Sequence, residues 1–212
     1  MMRRSRRCAG TALAAVLLPA LLGGCAGSLL PEPVAPPALF ALSSEADAPA
    51  AAAAAPAANA RTLIVNLPRA APGFDTSRIA YVRRPYEIEY FAHNQWVDTP
   101  SNMLAPKMVR AIERTGAFHA VLGSPTSATG QFRLETELVR LQQDFSTTPS
   151  RVRLTLRAAL IDTATRKVVA SQEFDVQVDA PTDDPYGGVV AAQQAASQVV
   201  AGLASFCAAS VR

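Results

Sequence analysis

Apolar and polar residues alternate with a period of two along the second half of the chain. Phe132, Leu134 and Leu138 fall on one side of this alternation, as do the even-numbered residues from 152 to 160. A third run, from 167 to 178, follows Asp-Thr-Ala-Thr at 162–165, a sequence typical of a hairpin turn. Successive side chains of a strand point to opposite faces. The pattern therefore predicts three long strands, each with one buried and one wet face.

The first half contains shorter apolar runs bounded by proline and glycine. They predict strands over 62–67, 79–82 and 87–91, with a further short strand entered from 118–122. Pro68, the Pro72-Gly73 pair and Pro85 interrupt these runs as turn residues do.

Two segments instead repeat their apolar residues every three or four positions, as amphipathic helices do. The first begins at Pro100 and ends near Thr115, with Ser101 or Asn102 as its N-cap and Pro106 in about its first turn. The second is predicted over 186–209. Its packing stripe consists of Val189, Ala192, Ala196, Val199, Leu203 and Phe206.

Together these elements predict an α+β fold, with a single mixed, mostly antiparallel β-sheet and two main helices packed on one face. The other face of the sheet is expected to be charged. Its predicted members are Arg133, Glu135, Glu137, Arg151, Arg153 and Arg157.

The N-terminus has the layout of an export signal. Four arginines precede an apolar stretch of roughly 14 residues, which is too short to span a bilayer, and Leu-Gly-Gly-Cys follows at 22–25. This resembles the lipobox of bacterial lipoproteins, which implies removal of 1–24, acylation (palmitate or a similar chain) of Cys25, and firm anchoring by several chains. Ala26 after the cysteine implies an outer-membrane address. The alternative is an ordinary secretory signal cleaved near Ala26.

Downstream of Cys25, residues 25–60 are predicted to be a tether. It contains a short strand near 39–43 and an Ala/Pro-rich insertion at 45–60 that is expected to be disordered. A globular domain is predicted over 61–212.

Charge and cysteine content exclude several classes of protein. Without the four arginines of the leader, the 20 Lys and Arg fall to 16, against 17 Asp and Glu. The mature chain is then slightly acidic, which argues against binding nucleic acid. Of the 3 cysteines, Cys8 leaves with the leader and Cys25 carries lipid. Cys207 is left alone, expected inside the last helix, so neither an internal disulfide nor a cysteine zinc site is available.

The sequence contains no catalytic set. His93 and His119 lack metal-ligand spacing, the serines lack a nucleophile motif, and no phosphate-binding loop is present. Glu87 and Glu89 share a strand face and are interpreted as solvated. We therefore expect no catalytic residues, no metal and no cofactor.

Aromatic and basic residues supply the candidate contact sites. One group mixes aromatics with two arginines between 81 and 96, as binding hot spots do; core packing is the alternative for its aromatics. The other is an arginine stripe on one strand, suited to acidic partners or lipid phosphates; cross-strand pairs with Glu135 and Glu137 are its alternative. The candidate interface residues are Tyr81, Arg83, Arg84, Tyr86, Tyr90, Trp96, Arg151, Arg153 and Arg157.

The order of these segments resembles the ABC-type transport auxiliary lipoprotein component family, the PqiC-like group. The resemblance covers nearly all of the mature chain, and its most specific part is the segment 90–104 with Trp96-x-x-x-Pro100. The segments that carry it are the lipobox, 62–68, 79–83, 87–91, 94–100, the helix containing Leu104, and 116–118.

The resemblance implies a non-enzymatic, lipid-anchored accessory subunit facing the periplasm from the outer membrane. Its implied partners are an MCE (mammalian cell entry) domain protein with an ABC permease and ATPase, in a system that transports lipids or maintains outer-membrane integrity. A homo-oligomer is compatible with such partners, which form symmetric assemblies. The alternative function is a stand-alone periplasmic lipoprotein that binds lipid or a small ligand.

Overall fold

The computed structural model of the protein describes residues 35–42 and 61–211. The predicted leader at 1–24, the predicted lipidation site Cys25 and the predicted insertion at 45–60 lie outside these residues. The elements in chain order are β1 (Ala38–Phe40), β2 (Thr62–Val65), β3 (Arg69–Ala70), β4 (Arg78–Val82), β5 (Glu89–Trp96), α1 (Pro100–Glu113), β6 (Ala120–Gly123), β7 (Phe132–Asp144), β8 (Arg151–Asp162), β9 (Lys167–Asp179) and α2 (Pro185–Ser210).

Strand β7 organises the sheet. Along one side it pairs antiparallel with β8, which pairs antiparallel with β9. Along its other side it pairs in parallel with β2, β3 and β4 in turn. Strand β6 extends the sheet beyond β2, and β5 followed by β1 extends it beyond β4. The long strands are thus antiparallel, and the short strands join them largely in parallel.

Both helices cover the same face of this sheet. α2 packs on β8 and β9, α1 packs on β2 and β6, and the helices contact each other. Leu134, Leu154 and Leu203 are fully buried between the layers. α2 has the length and apolar composition of a membrane-spanning helix, but half of its most apolar window is buried inside the protein. Apolar residues that pack against the sheet explain this composition, so α2 fits a core helix.

The α+β fold, with one mixed sheet and two helices, is confirmed. The Asp162–Thr165 turn and the burial of Cys207 are also as predicted. Burial raises the pKa of the Cys207 thiol to about 12.

Several boundaries differ from the predictions. β1 covers only Ala38–Phe40, β5 continues to Trp96, and the two-residue β3 was not predicted. β7 runs on to Asp144 because a bulge at Val139 breaks the alternation without ending the strand.

The predicted start of the first helix was wrong in two details. The N-cap is Thr99, whose side chain accepts a hydrogen bond from the Asn102 backbone N–H, and neither Ser101 nor Asn102 caps the helix. Pro106 lies inside the helix, beyond its first turn. It lacks the N–H that would donate to the carbonyl four residues earlier.

A buried polar network fixes the start of α2. The Gln143 side-chain amide donates to Ser150 Oγ at 2.9 Å and to the Asp184 carbonyl at 3.1 Å. Asp184 in turn caps α2 by accepting from the Gly187 N–H at 2.7 Å. Gly188 lies against the Gln143 carboxamide, where a Cβ atom would collide with Oε1. A side chain at position 188 would therefore displace Gln143 and disturb the start of α2.

Candidate functional site

The turn between β4 and β5, residues 83–88, projects into solvent and is called the β4–β5 tip. Tyr86 is 106% exposed and adopts a left-handed backbone with φ of 70°. The Glu87 N–H donates to the Arg84 carbonyl at 3.3 Å, and the two side chains form an ion pair at 2.9 Å. Ile88 is also exposed, at 44%. The tip thus holds an aromatic ring outward in a conformation that non-glycine residues seldom adopt.

The base of the tip rests on three aromatic rings. Tyr81 stacks on Phe91 with ring centroids 4.4 Å apart, and Phe145 meets Tyr81 edge-on at 5.9 Å. Glu89 accepts hydrogen bonds from Tyr81 Oη at 3.0 Å and from Arg83 Nε at 2.8 Å. Stacked rings and a carboxylate that accepts from two donors thus hold the base of the tip.

The same contacts determine the ionisation of Glu89 and Tyr81 at the base of the tip. The hydrogen bond from Arg83 holds the pKa of Glu89 below its ordinary value, so this carboxylate stays ionised. The pKa of Tyr81 is raised, by burial first and by its hydrogen bond to Glu89 second. Neither shift places a titrating group near neutral pH, which fits a contact surface and gives no support for acid–base chemistry.

Tyr90 and Trp96 do not belong to this surface. Tyr90 is half-buried, donates to the Gly73 carbonyl at 3.0 Å, and carries the Arg78 guanidinium 3.8 Å above its ring. Trp96 is 3% exposed and lies in the core. Of the candidate aromatics, Tyr86 is the fully exposed one and Tyr81 supports it from below.

The arginine stripe of β8 is paired with carboxylates from both neighbouring strands. Arg153 binds Asp175 at 2.5 Å, and Arg151 lies 3.5 Å from Asp179. Arg157 binds Glu173 at 2.7 Å and Glu137 at 3.7 Å. These arginines therefore form cross-strand ion pairs, which was the alternative to a binding surface. One of the predicted carboxylates, Glu137 on β7, takes part, and the other three lie on β9.

The hydrogen bond from Arg153 lowers the pKa of Asp175 to about 2. Thr155 adds a second donor, with its hydroxyl 2.7 Å from Asp175 Oδ1. The stripe is therefore neutralised by its own neighbours at neutral pH.

The two candidate groups lie on opposite faces of the sheet. Tyr81 is in register with Gln143, whose side chain lies on the helix-covered face. Arg153 alternates with the core residues Val152 and Leu154 and so points to the open face. The structure brings Tyr81, Arg83, Arg84 and Tyr86 together at one end of the sheet and leaves the stripe apart from them.

Sequence reasoning missed Phe145 and the acidic residues of β9. Phe145 lies beyond the bulge at Val139, where the alternation that predicted this strand breaks. Asp175 carried a readable signal, since polar residues, three of them acidic, alternate with apolar ones from Glu173 to Asp179. Among residues 35–42 and 61–211, no three His, Cys, Asp or Glu side chains gather as metal ligands.

Similarity to solved structures supports the fold. The chain is 25% identical to a Xanthomonas campestris protein of known crystal structure, with a TM-score of 0.66 over 74% of this chain and 90% of that one. A second crystal structure, of an uncharacterised protein, gives a TM-score of 0.62 at 11% identity over 82% of this chain and 99% of that one.

No curated protein matches the chain. The family model described as the ABC-type transport auxiliary lipoprotein component matches residues 40–204. This match begins at the last residue of β1 and ends within α2, so it takes in strands β2 to β9, all of α1 and most of α2. The chain therefore belongs to the ABC-type transport auxiliary lipoprotein component family.

Proposed function

We propose that this protein is a lipid-anchored, non-enzymatic accessory subunit of an MCE-type ABC lipid transport system. It is held at the outer membrane by acylated Cys25, faces the periplasm and supports outer-membrane integrity. The observation that carries the proposal is the family match over 40–204. ATP hydrolysis belongs to another subunit, because the chain has no phosphate-binding loop.

We propose that the β4–β5 tip docks on the MCE-domain partner. Exposed aromatic side chains beside arginine are enriched among residues that dominate binding energy. Tyr86 and Ile88 supply apolar surface, and the ion pairs Arg83–Glu89 and Arg84–Glu87 supply polar groups at its rim. The held backbone of Tyr86 lowers the entropy lost on docking. The partner surface expected from this chemistry is an apolar pocket with polar residues at its edge.

Recovery of partners from native membranes tests the subunit assignment. The tagged, anchored protein is purified from native membranes and the co-purifying proteins are identified by mass spectrometry. We expect an MCE-domain protein together with an ABC permease or ATPase. Recovery of no transport component, from protein shown to be acylated at Cys25, would instead favour a stand-alone lipid-binding lipoprotein.

Tyr86→Ala tests the docking surface in the same experiment. It should lower partner recovery at least about tenfold, as loss of a hot-spot aromatic does. Tyr186→Ala is the matched control, because Tyr186 is also exposed, at 64%, but lies at the start of α2. Equal recovery by both variants would exclude the tip as the contact.

Cys25→Ala tests the anchor. Without acylation, the protein should no longer carry palmitate label or fractionate as an outer-membrane lipoprotein, because the chains supply the stable membrane attachment. Unchanged acyl labelling and fractionation of this variant would contradict the anchor.

A further inference from the structure

Three exposed apolar side chains surround β1 and are called the β1 patch. They are Leu39, Val97 and Tyr186, which are 62%, 55% and 64% exposed. Phe40 lies between them: its carbonyl accepts from the Val97 N–H at 2.8 Å, and its ring centroid is 6.4 Å from that of Tyr186. Leu39 precedes Phe40 on the strand and so points to the other face of the sheet. The patch therefore flanks this edge of the sheet on both sides.

The edge between these side chains is open and uncharged. Among the described strands β1 pairs with β5 alone, so its outer side has no partner strand there. Residues 35–42 contain no charged side chain. The acid next to Val97 is Asp98, whose carboxylate already accepts from the Thr99 N–H at 2.6 Å and from Asn102 Nδ2 at 2.8 Å. A surface that covers the patch can thus take its side chains out of water, but must leave the backbone of the edge hydrated.

The head-group layer of a membrane meets both conditions. Apolar side chains of interfacial proteins enter about 5–10 Å into the boundary between head groups and acyl chains, and an open sheet edge is tolerated only where water still reaches it. Tyrosine is enriched at this level, because its ring is apolar and its hydroxyl stays wet. Since residues 35–42 and 93–98 contain no Lys or Arg, the contact does not need anionic lipid.

The predicted anchor brings a membrane within reach of this edge. Residues 26–37 separate Cys25 from β1, and a chain of this length spans at most about 45 Å. Three partly exposed side chains are too few to recruit a protein from solution, since even a myristoyl chain binds membranes only marginally. Once Cys25 is acylated, contact with the same membrane becomes intramolecular, and a weak patch is enough. The size of the patch therefore fits the orientation of a domain that is already anchored.

We propose that the β1 patch lies in the head-group layer of the membrane that holds Cys25, and that this contact sets the orientation of the domain. The proposal rests on the proposed acylation of Cys25. Tyr86 precedes β5 and Val97 follows it, so the tip and the patch lie at opposite ends of that strand. The contact thus leaves the β4–β5 tip free for a partner.

Spin labels on the acylated full-length protein test the contact. The protein is held at one copy per phosphatidylcholine nanodisc, so that no second copy can cover the patch. Labelling of introduced cysteines is selective, because Cys207 is buried and the pKa of its thiol is raised to about 12. Labels are placed at 39, 97 and 186, and Leu67 and Val168, exposed apolar residues elsewhere, are the matched control positions.

We expect the patch labels to be at least about threefold less accessible to a neutral, water-soluble nickel complex than the control labels. A label at position 88, in the tip, should behave like the controls. Equal accessibility at patch and control positions, in protein that stays attached to the nanodisc, would overturn the proposal and leave the anchor intact. Protein that carries no acyl chain and does not attach would contradict the anchor, and the proposal with it.

Charge placed in the patch should lift it from the membrane. Leu39→Glu/Val97→Glu should raise the accessibility of a label at Tyr186 to that of the control positions, since a carboxylate is costly to take out of water. Leu67→Glu/Val168→Glu is the matched control and should change that accessibility by less than about 1.5-fold. A label at 186 that stayed shielded in the patch variant would contradict the contact. Leu39→Gln/Val97→Gln replaces that variant if it fails to fold.

A photo-crosslinker at position 39 distinguishes a lipid neighbour from a protein one. Adducts in native membranes should be lipid. A protein adduct, from a second copy or another chain, would assign the open edge to strand addition, and the lipid contact would fail. Partner recovery after detergent extraction should not depend on the patch, because detergent removes the bilayer. The patch and the β4–β5 tip can therefore fail independently of each other.

Discussion

The two faces of the β7–β8–β9 sheet are made by the same strands but held by different forces. On the helix-covered face, Leu134, Leu154 and Leu160 are completely buried. On the open face, the residues between them form ion pairs whose side chains stay roughly one-third or more exposed, such as Arg153 and Asp175 at 37% and 31%. Burial of apolar area is the main source of stability, whereas exposed ion pairs contribute little.

This contrast bears on where function can lie. A face made of mutually neutralised pairs presents little net charge to a partner, even though its sequence contains an arginine at 151, 153 and 157. The β4–β5 tip lies away from it. Arginines in a sequence therefore do not indicate a binding surface by themselves, because the fold can pair each of them with a carboxylate from a neighbouring strand.

The largest expected effect comes from the buried face. Leu154→Ala should lower the free energy of unfolding by about 2–5 kcal/mol, through lost apolar transfer and the cavity that remains. Arg153→Ala, one residue away on the open face, should cost about 1 kcal/mol or less. Urea denaturation measures both. If the two losses were equal, the contrast between the faces would be wrong.

A second prediction concerns the polar network under the same helix. Gly188→Ala places a methyl group where Gln143 Oε1 lies, so we expect a loss of about 1–3 kcal/mol from overpacking and broken hydrogen bonds. The clash disappears when the partner is shortened. The double variant Gln143→Ala/Gly188→Ala should therefore cost less than the two single losses together. Strict additivity in the denaturation midpoints would contradict this contact.

Local periodicity was enough to predict the two faces and both helices. The alternation of β8 placed Val152, Leu154 and Leu160 correctly, and the stripe of α2 includes the buried residues Val199 and Leu203. These predictions succeeded because burial of one side of a strand or helix depends on spacing within that element alone.

Features set by pairing between distant segments could not be predicted. The acids assigned to the arginine stripe were Glu135 and Glu137, but Arg153 binds Asp175, which lies 22 residues along the chain. Only the register of β8 with β9 makes that pair. The candidate interface residues fall into two groups on opposite faces of the sheet for the same reason. The parallel pairing of β4 with β7 decides which face Tyr81 occupies.

The smallest predicted effect tests the open face by its pH dependence. Arg153 and Thr155 together hold Asp175 ionised, with a pKa of about 2 against about 3.9 in the unfolded chain. A depressed pKa means that the carboxylate stabilises the fold above about pH 4 and that this contribution is lost as pH falls towards 2. Asp175→Asn should thus be less stable than the original protein at pH 7, by about 1 kcal/mol or less because solvent screens the pair.

The difference between the two proteins should shrink as pH falls from 4 to 2, measured by urea denaturation at each pH. Asp179→Asn is the matched control on the same strand, where the carboxylate is 65% exposed and lies 3.5 Å from Arg151. Its effect should be smaller at every pH, since a longer and more exposed pair gains less from Coulomb attraction. An Asp175→Asn effect that did not change with pH would show that the pair adds no electrostatic stability, and the open face would then be held by backbone hydrogen bonds and the covered face alone.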